Sequence, residues 1–276
     1  MRVMQPQLRT ARVRAAFGRS TAAVLIAVSA TGAGLVGAPC ARGGATFDDF
    51  SGAAGTPPDR DRWTFDVGGG GWGNDEMQTY TDATANARLD GDGHLVIAAV
   101  RATGGSWTSA RLTTRGKLAF TAGRAEARIK IPAGDGLHSG FWLMGTDIDT
   151  VGWPRSGEID VVETLNEASE YNCTLHGPNA DGSGWQAGRS RPWPLSDDFH
   201  DYWVQRSPGR VEMGIDETSV CTFTRQNIGA QHLWVFDKPF YLLLNVSVGG
   251  DYAGPPSPQT PSPSEMLVDS VEVTPT

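Results

Sequence analysis

The stretch GRAEARIKIP, residues 123–132, alternates strictly between apolar and polar side chains. Ala125, Ala127, Ile129 and Ile131 fall on one face, and Glu126, Arg128 and Lys130 on the other. Strand side chains point to opposite faces in turn, so this is a strand covering a core on one side. HLVIAAVR (94–101) reads as another strand, entered through the Gly-rich turn LDGDG. RVEMGIDETSVCTFTR (210–225) reads as a hairpin turning at Asp216–Glu217. FYLLLNVSVGG (240–250) is almost continuously apolar, as a central strand covered on both faces would be. MLVDSVEV (266–273) alternates again and is expected to close the sheet. No segment beyond residue 41 holds ten residues of convincing 3.6 periodicity, and Gly and Pro punctuate the chain throughout. GPPSPQTPSPSE (254–265) leads into an alternating strand, so it reads as a surface loop and not a domain linker. The fold class is all-β: a sandwich of two antiparallel sheets, large enough to curve into a groove.

The first 41 of the 276 residues have a different character. Arg2, Arg9, Arg12, Arg14 and Arg19 precede the small, apolar run TAAVLIAVSATGAGLVGA, with no acidic residue. This is the layout of a secretory signal, with cleavage expected between Ala38 and Ala45. The same run approaches the length of a single membrane anchor. LVGAPC offers Cys40 for lipidation, but Pro39 directly before it fits poorly. The expected organisation is therefore a signal over 1–41 and one domain over 42–276, exported and without a stable membrane partner. Loss of the leader leaves 18 basic against 31 acidic residues, a charge of −13. Such a surface repels phosphate backbones and excludes nucleic acid as the natural partner. Cys173 and Cys221 would remain, free to form a disulfide in an oxidising compartment or to stay as two thiols. Without a Cys-x-x-Cys or His-x-x-x-His spacing, a zinc site is not supported.

SGEIDVVETLNE (156–167) sets Glu158, Asp160 and Glu163 into an apolar run. Clustered acids can hold a hard cation, form a solvated face, or work as a catalytic pair. Ile159, Val161 and Val162 commit one face to the core, and no Lys or Arg lies between Ser156 and Glu170. Unpaired carboxylates at close range raise one another's proton affinity, which suits a general acid. Glu158 and Asp160 share a face, but Glu163 has the wrong parity. A one-residue β-bulge at Val161–Val162 would return Glu163 to the face of Glu158.

WPRSGEIDVVE (153–163) resembles the active-site signature of glycoside hydrolase family 16, in the bulged E-x-D-x-x-E form of bacterial laminarinase-like β-1,3-glucanases. FDDFSG (47–52), GGWGNDEMQTYT (70–81), the segments 109–145 and 234–256, and MLVDSVEV follow the same family in order. The resemblance implies a β-jelly roll with an open cleft, a β-glucan polysaccharide as substrate, a monomer, and no cofactor in catalysis. It implies Glu158 as nucleophile, Glu163 as acid/base and Asp160 as the assisting carboxylate. His176 matches a histidine near the site, and Trp153 a sugar platform, since an indole suits the apolar face of a pyranose. Trp142 matches a cleft residue, although FWLM also reads as core. Asn74 and Arg111 match polar cleft positions. A structural Ca²⁺ is implied at Asp49, Asp269 and the carbonyl of Gly93, which otherwise read as plain surface groups.

The chain departs from the family pattern in places. HSGFW stands where WPAFW is common, so His138 and Ser139 replace a bulky pair at the cleft. Gln205–Arg206 replace a Glu-Trp pair, Tyr252 replaces a frequent Trp, and SPSEM lacks a usual aromatic. The leading expectation is a retaining endo-β-1,3-glucanase. Mixed-linkage glucan, a galactan, or glucan binding without catalysis stay open as alternatives.

Overall fold

The structure is a computed structural model and describes residues 46–276. The expected leader and Cys40 lie outside the described residues. In chain order the strands are β1 (Thr46–Asp48), β2 (Thr64–Asp66), β3 (Gln78–Tyr80), β4 (Ala87–Leu89), β5 (Leu95–Arg101), β6 (Trp107–Ser109), β7 (Arg111–Thr113), β8 (Gly123–Lys130) and β9 (Leu137–Gly145). There follow β10 (Glu158–Leu165), β11 (Glu170–Pro178), β12 (Gly184–Pro192), β13 (His200–Ser207), β14 (Arg210–Ile215), β15 (Thr218–Thr224), β16 (Phe240–Val248) and β17 (Ser264–Pro275). Two single-turn helices, α1 (Ile148–Val151) and α2 (Gly250–Ala253), precede β10 and follow β16. No helix among the described residues is long and apolar enough to cross a membrane.

The strands form two sheets. The ten-stranded sheet runs β15-β14-β13-β8-β17-β5-β6-β3, with β1 beside β17 and β4 beside β5. The seven-stranded sheet runs β12-β11-β10-β9-β16-β7-β2. All pairings are antiparallel except that of β3 with β6. The apolar face of β8 is fully buried at Ala125, Ala127 and Ile129, as its alternation requires. These residues belong to one core cluster with Phe141, Leu143, Ile159, Leu242 and Leu244 of the facing sheet. The fold is thus a β-jelly-roll sandwich, open along the outer face of the seven-stranded sheet.

Three readings are refined by the sheets. The hairpin at Asp216 is present, with that residue at φ +50°. β17 does not close a sheet but lies inside one, between β8 and β5. Strand order depends on contacts far apart in sequence, which local alternation does not encode. β16 is buried along its whole length, but only one face meets the opposite sheet. Its other face, Tyr241, Leu243, Asn245 and Ser247, forms the floor of the open side and is covered by side chains there.

Arg206, one of the family departures, is 1% exposed. Its guanidinium donates to the carbonyls of Phe120 (2.6 Å), Phe236 (2.8 Å) and Lys238 (2.7 Å). It also lies over the rings of Phe120 and Phe240. Burial draws its proton affinity down to about 10, with Asp237 opposing. A guanidinium that satisfies three carbonyls fills the place of an aromatic side chain and also pins the loop before β16.

Cys173 of β11 and Cys221 of β15 form a disulfide that ties one sheet to the other. The bridge closes a loop of 48 residues, for which the chain-entropy argument gives about 4 kcal/mol of stabilisation. A double Cys173→Ala/Cys221→Ala variant is expected to unfold at correspondingly lower denaturant, with its activity at low temperature retained. Equal midpoints for the oxidised protein and the variant would contradict this.

Candidate active site

β10 carries the three acids in the middle of the seven-stranded sheet. It is entered through Gly157, at φ +69°, where a Cβ would fall 2.9 Å from Val235 and 3.0 Å from Phe240. Only glycine combines that backbone with that packing. Against β9, Glu158 pairs with Met144, Asp160 with Trp142, Val162 with Phe141 and Glu163 with Gly140. The register shifts between Asp160 and Val162. Val161 is therefore the extra residue, and the partners 144, 142 and 140 share one face. β11 gives the same answer: His176, Thr174 and Asn172 stand opposite the three acids. The bulge inferred from parity is present, and it sets Glu158, Asp160 and Glu163 in a row on the open face. Val161 and Val162 are both buried in the core.

Neighbouring strands complete the surface. Across the sheet, Asn245 stands beside Gly140, Leu243 beside Trp142 and Ser247 beside His138. Arg111 of β7 stands beside Asn245, and Asp66 of β2 beside Arg111. The ambiguity over Trp142 is thereby resolved. Phe141 and Leu143 enter the core, while Trp142 lies on the open face. Its Nε1–H donates to Asn245 Oδ1 at 2.7 Å, and Asn245 Nδ2 donates to Tyr80 Oη at 3.1 Å. Arg111 is not an ordinary surface residue either. It pairs with Asp66 at 3.0 Å and its guanidinium lies between the rings of Trp72 and Trp142.

Trp153 is 55% exposed, and its Nε1–H donates to Glu158 Oε2 at 2.8 Å. His176 Nε2 lies 3.1 Å from Asp160 Oδ2, off the line of a hydrogen bond, so that buried oxygen has an electrostatic contact only. Burial pushes Glu158 up to about 8; the charges of Asp160 and Glu163 add to this, while His176 and the Trp153 donor oppose it. Burial also raises Asp160 well above the ordinary carboxylate range, the Glu163 charge adding to the effect and a hydrogen bond with Glu158 opposing it. The adjacent pair therefore holds a proton near neutral pH. With that proton on Asp160, Glu158 is ionised and free to attack. Glu163 meets His138, whose Nε2 lies 3.2 Å from Oε1.

Asn74 is exposed on the loop before β3, where its carbonyl accepts from the amide of Asp251 at 2.7 Å and ties that loop to α2. His138, Ser247, Tyr80 and Asn245 were not named as site residues from sequence. For His138 the signal was its place in HSGFW; for Asn245 and Ser247, one face of the apolar run 240–250; for Tyr80, its place in GGWGNDEMQTYT.

Two of the three groups expected to hold Ca²⁺, Asp49 and Asp269, have protein partners in the structure. Asp269 sits 3.7 Å from Arg128 Nε and 3.8 Å from His94 Nε2. Asp49 is exposed and accepts the amide of Ser51 at 3.1 Å. A hard cation wants oxygen donors around it, and the guanidinium of Arg128 beside Asp269 opposes that. Glu158, Asp160 and His176 also bring ligand atoms within 4.8 Å of one another. There, the proton held by the acid pair and the Trp153 N–H directed at Glu158 oppose a cation. The thermal midpoint and the activity are therefore expected to be unchanged between chelator and millimolar Ca²⁺. A rise in the midpoint on adding Ca²⁺ would restore the metal site.

Three acids in a row on an open sheet face, with indole and imidazole rings beside them, define a glycoside hydrolase. The chain belongs to glycosyl hydrolases family 16, which residues 72–261 match. It is 36% identical to a beta-glucanase of Rhodothermus marinus over 247 residues, 82% of each chain. It is 37% identical to a glucan endo-1,3-beta-glucosidase of Cryptopygus antarcticus over 222 residues, 74% of this chain and 81% of the relative. The X-ray structure of the laminarinase from Rhodothermus marinus superposes with a TM-score of 0.74 at 34% identity, covering 83% of this chain and 95% of that one.

Proposed function

We propose that the protein is an exported, endo-acting hydrolase of β-1,3-glucan that retains the anomeric configuration. The observation that carries this is the bulge at Val161, which turns Glu163 onto the face of Glu158 with Asp160 between them. Retention needs two carboxyl groups about 5–5.5 Å apart, one to attack and one to protonate the leaving oxygen. Glu158 attacks the anomeric carbon, while Asp160 holds the shared proton and keeps the nucleophile ionised. Glu163 gives its proton to the departing glycosidic oxygen. It then takes a proton from the water that releases the glycosyl-enzyme. Trp153 supplies a flat apolar surface beside the nucleophile. Substrate choice follows the glucanase relatives, and an open cleft suits attack within a polymer. Export is supported by the signal-like leader and by a disulfide of the kind that persists outside the cytosol.

The test is proton NMR of early products from laminarin, with a panel of purified polysaccharides assayed in parallel. The β-anomer is expected first. Appearance of the α-anomer first would overturn retention, and faster release from mixed-linkage glucan or a galactan would overturn the substrate.

A further inference from the structure

His138 stands where the family pattern has a bulky aromatic residue, and the catalytic scheme above makes no use of it. It is 9% exposed on the open face of β9. Its Nε2 lies 3.2 Å from Glu163 Oε1, and its Nδ1 lies 3.2 Å from Ser247 Oγ. Ser247 is fully buried on β16, directly across the ladder from His138. The ring is further fixed by Tyr252 of α2, which meets it edge-on at 5.1 Å between centroids. The imidazole thus meets Glu163 from β10, Ser247 from β16 and Tyr252 from α2. From the far side, Asn172 Nδ2 donates to the carbonyl of Glu163 at 3.1 Å.

We propose that His138, set by Ser247, is a positioning residue for Glu163 that holds Oε1 and leaves Oε2 to the glycosidic oxygen. The Ser247 hydroxyl lies within reach of both Nδ1 (3.2 Å) and the His138 carbonyl (3.3 Å); in the proposed arrangement it donates to Nδ1, which places the ring proton on Nε2. Nε2–H then donates to Oε1. That bond is compatible with both forms of Glu163 that a retaining cycle needs. When Glu163 is the acid, its proton sits on Oε2 and Oε1 still accepts. When it is the base, the same donor steadies the carboxylate while Oε2 takes a proton from water. A carboxyl fixed by one oxygen cannot rotate its proton away from the leaving group, and misplacement of a catalytic group by about 1 Å can cost ~100-fold. The tryptophan of the WPAFW pattern has an indole N–H but no ring acceptor for a serine hydroxyl, so a donor set by Ser247 belongs to the His138–Ser247 pair of this chain. The proposal rests on the reading of Glu163 as the acid/base.

The test compares laminarin with 2,4-dinitrophenyl β-laminaribioside, whose leaving group departs without protonation. The variants are His138→Leu, His138→Gln, Ser247→Ala and Glu163→Ala, each checked for folding by circular dichroism. His138→Leu is expected to lose kcat on laminarin by roughly 30–100-fold, with KM little changed. The dinitrophenol burst should fall by no more than about threefold, because that step needs no acid. Gln carries an N–H near the position of Nε2 and should recover much of the loss. Ser247→Ala should show the same signature at smaller size, and it stands as the second test if His138→Leu does not fold. An equal loss on both substrates, a change confined to KM, or no recovery with Gln would overturn the role of His138. If Glu163→Ala itself shows no dependence on the leaving group, the reading of Glu163 fails and takes the proposal with it. If Glu163→Ala shows that dependence and the His138 variants do not, the His138 proposal alone fails.

Discussion

Glu158→Gln is expected to lose activity by on the order of 10⁴-fold or more, and at the same time to be more stable than the wild type by a margin that widens as the pH rises. The loss follows from removing the attacking oxygen. The gain follows from burial. Glu158 is raised to about 8 by desolvation and by the acids beside it. Between the ordinary carboxylate range and about 8, the folded protein keeps a proton that the unfolded chain has released. Stability must therefore fall as pH rises through that window. Glutamine has no proton to release and still offers an oxygen to the Trp153 N–H. The advantage of the variant should be small near pH 4.5 and grow to several kcal/mol by pH 8, one pKa unit being about 1.4 kcal/mol. Urea titrations at several pH values, with wild type and variant side by side, check this. A stability difference that is flat with pH would mean that the Glu158–Asp160 pair holds no proton in the free enzyme.

Sequence legibility differed between residues for physical reasons. Alternation in 123–132 was enough to place β8 and its core face, because side-chain direction along a strand is a local property. The parity of Glu158, Asp160 and Glu163 was enough to demand a bulge for the same reason. Trp142 could not be assigned from FWLM alone, since both faces there are apolar. Its face became clear only from the pairing of Asp160 with Trp142. The pairing of Cys173 with Cys221, the interior place of β17 and the contact of His138 with Glu163 all join residues distant in sequence. No local pattern encodes them. The burial of Arg206 has no local signal, since charge ordinarily predicts exposure. The residue is buried because three backbone carbonyls and two rings receive it. The surroundings of Asp269 likewise depend on Arg128 of β8 and His94 just before β5, both distant from it in sequence.

The bulge can be tested by removing it. Deleting Val161 would leave Asp160 opposite Trp142, Val162 opposite Phe141 and Glu163 opposite Gly140, an unbroken ladder with β9. The three acids would then alternate onto one face with no irregularity. The deletion costs a buried valine and the carbonyl that accepts the Tyr171 hydroxyl at 2.7 Å. Together these are expected to cost roughly 3–6 kcal/mol. A fold with this much core and a disulfide between its sheets should survive that loss at low temperature. Activity is expected to fall by at least about tenfold, because the bulge also sets the spacing between nucleophile and acid. It should remain measurable, since all three carboxyls keep their face. An alanine inserted between Glu158 and Ile159 shifts the parity the other way. Glu158 is then turned toward the core or the register of β10 is lost, and activity should drop to the level of Glu158→Gln. Circular dichroism and denaturant midpoints separate loss of fold from loss of chemistry in both variants. If the deletion variant folds and is as inactive as Glu158→Gln, then a shared face is not sufficient. The residue at 161 would in that case be required for the separation of the carboxyl groups itself, and the bulge would be part of the catalytic geometry as well as a correction of parity.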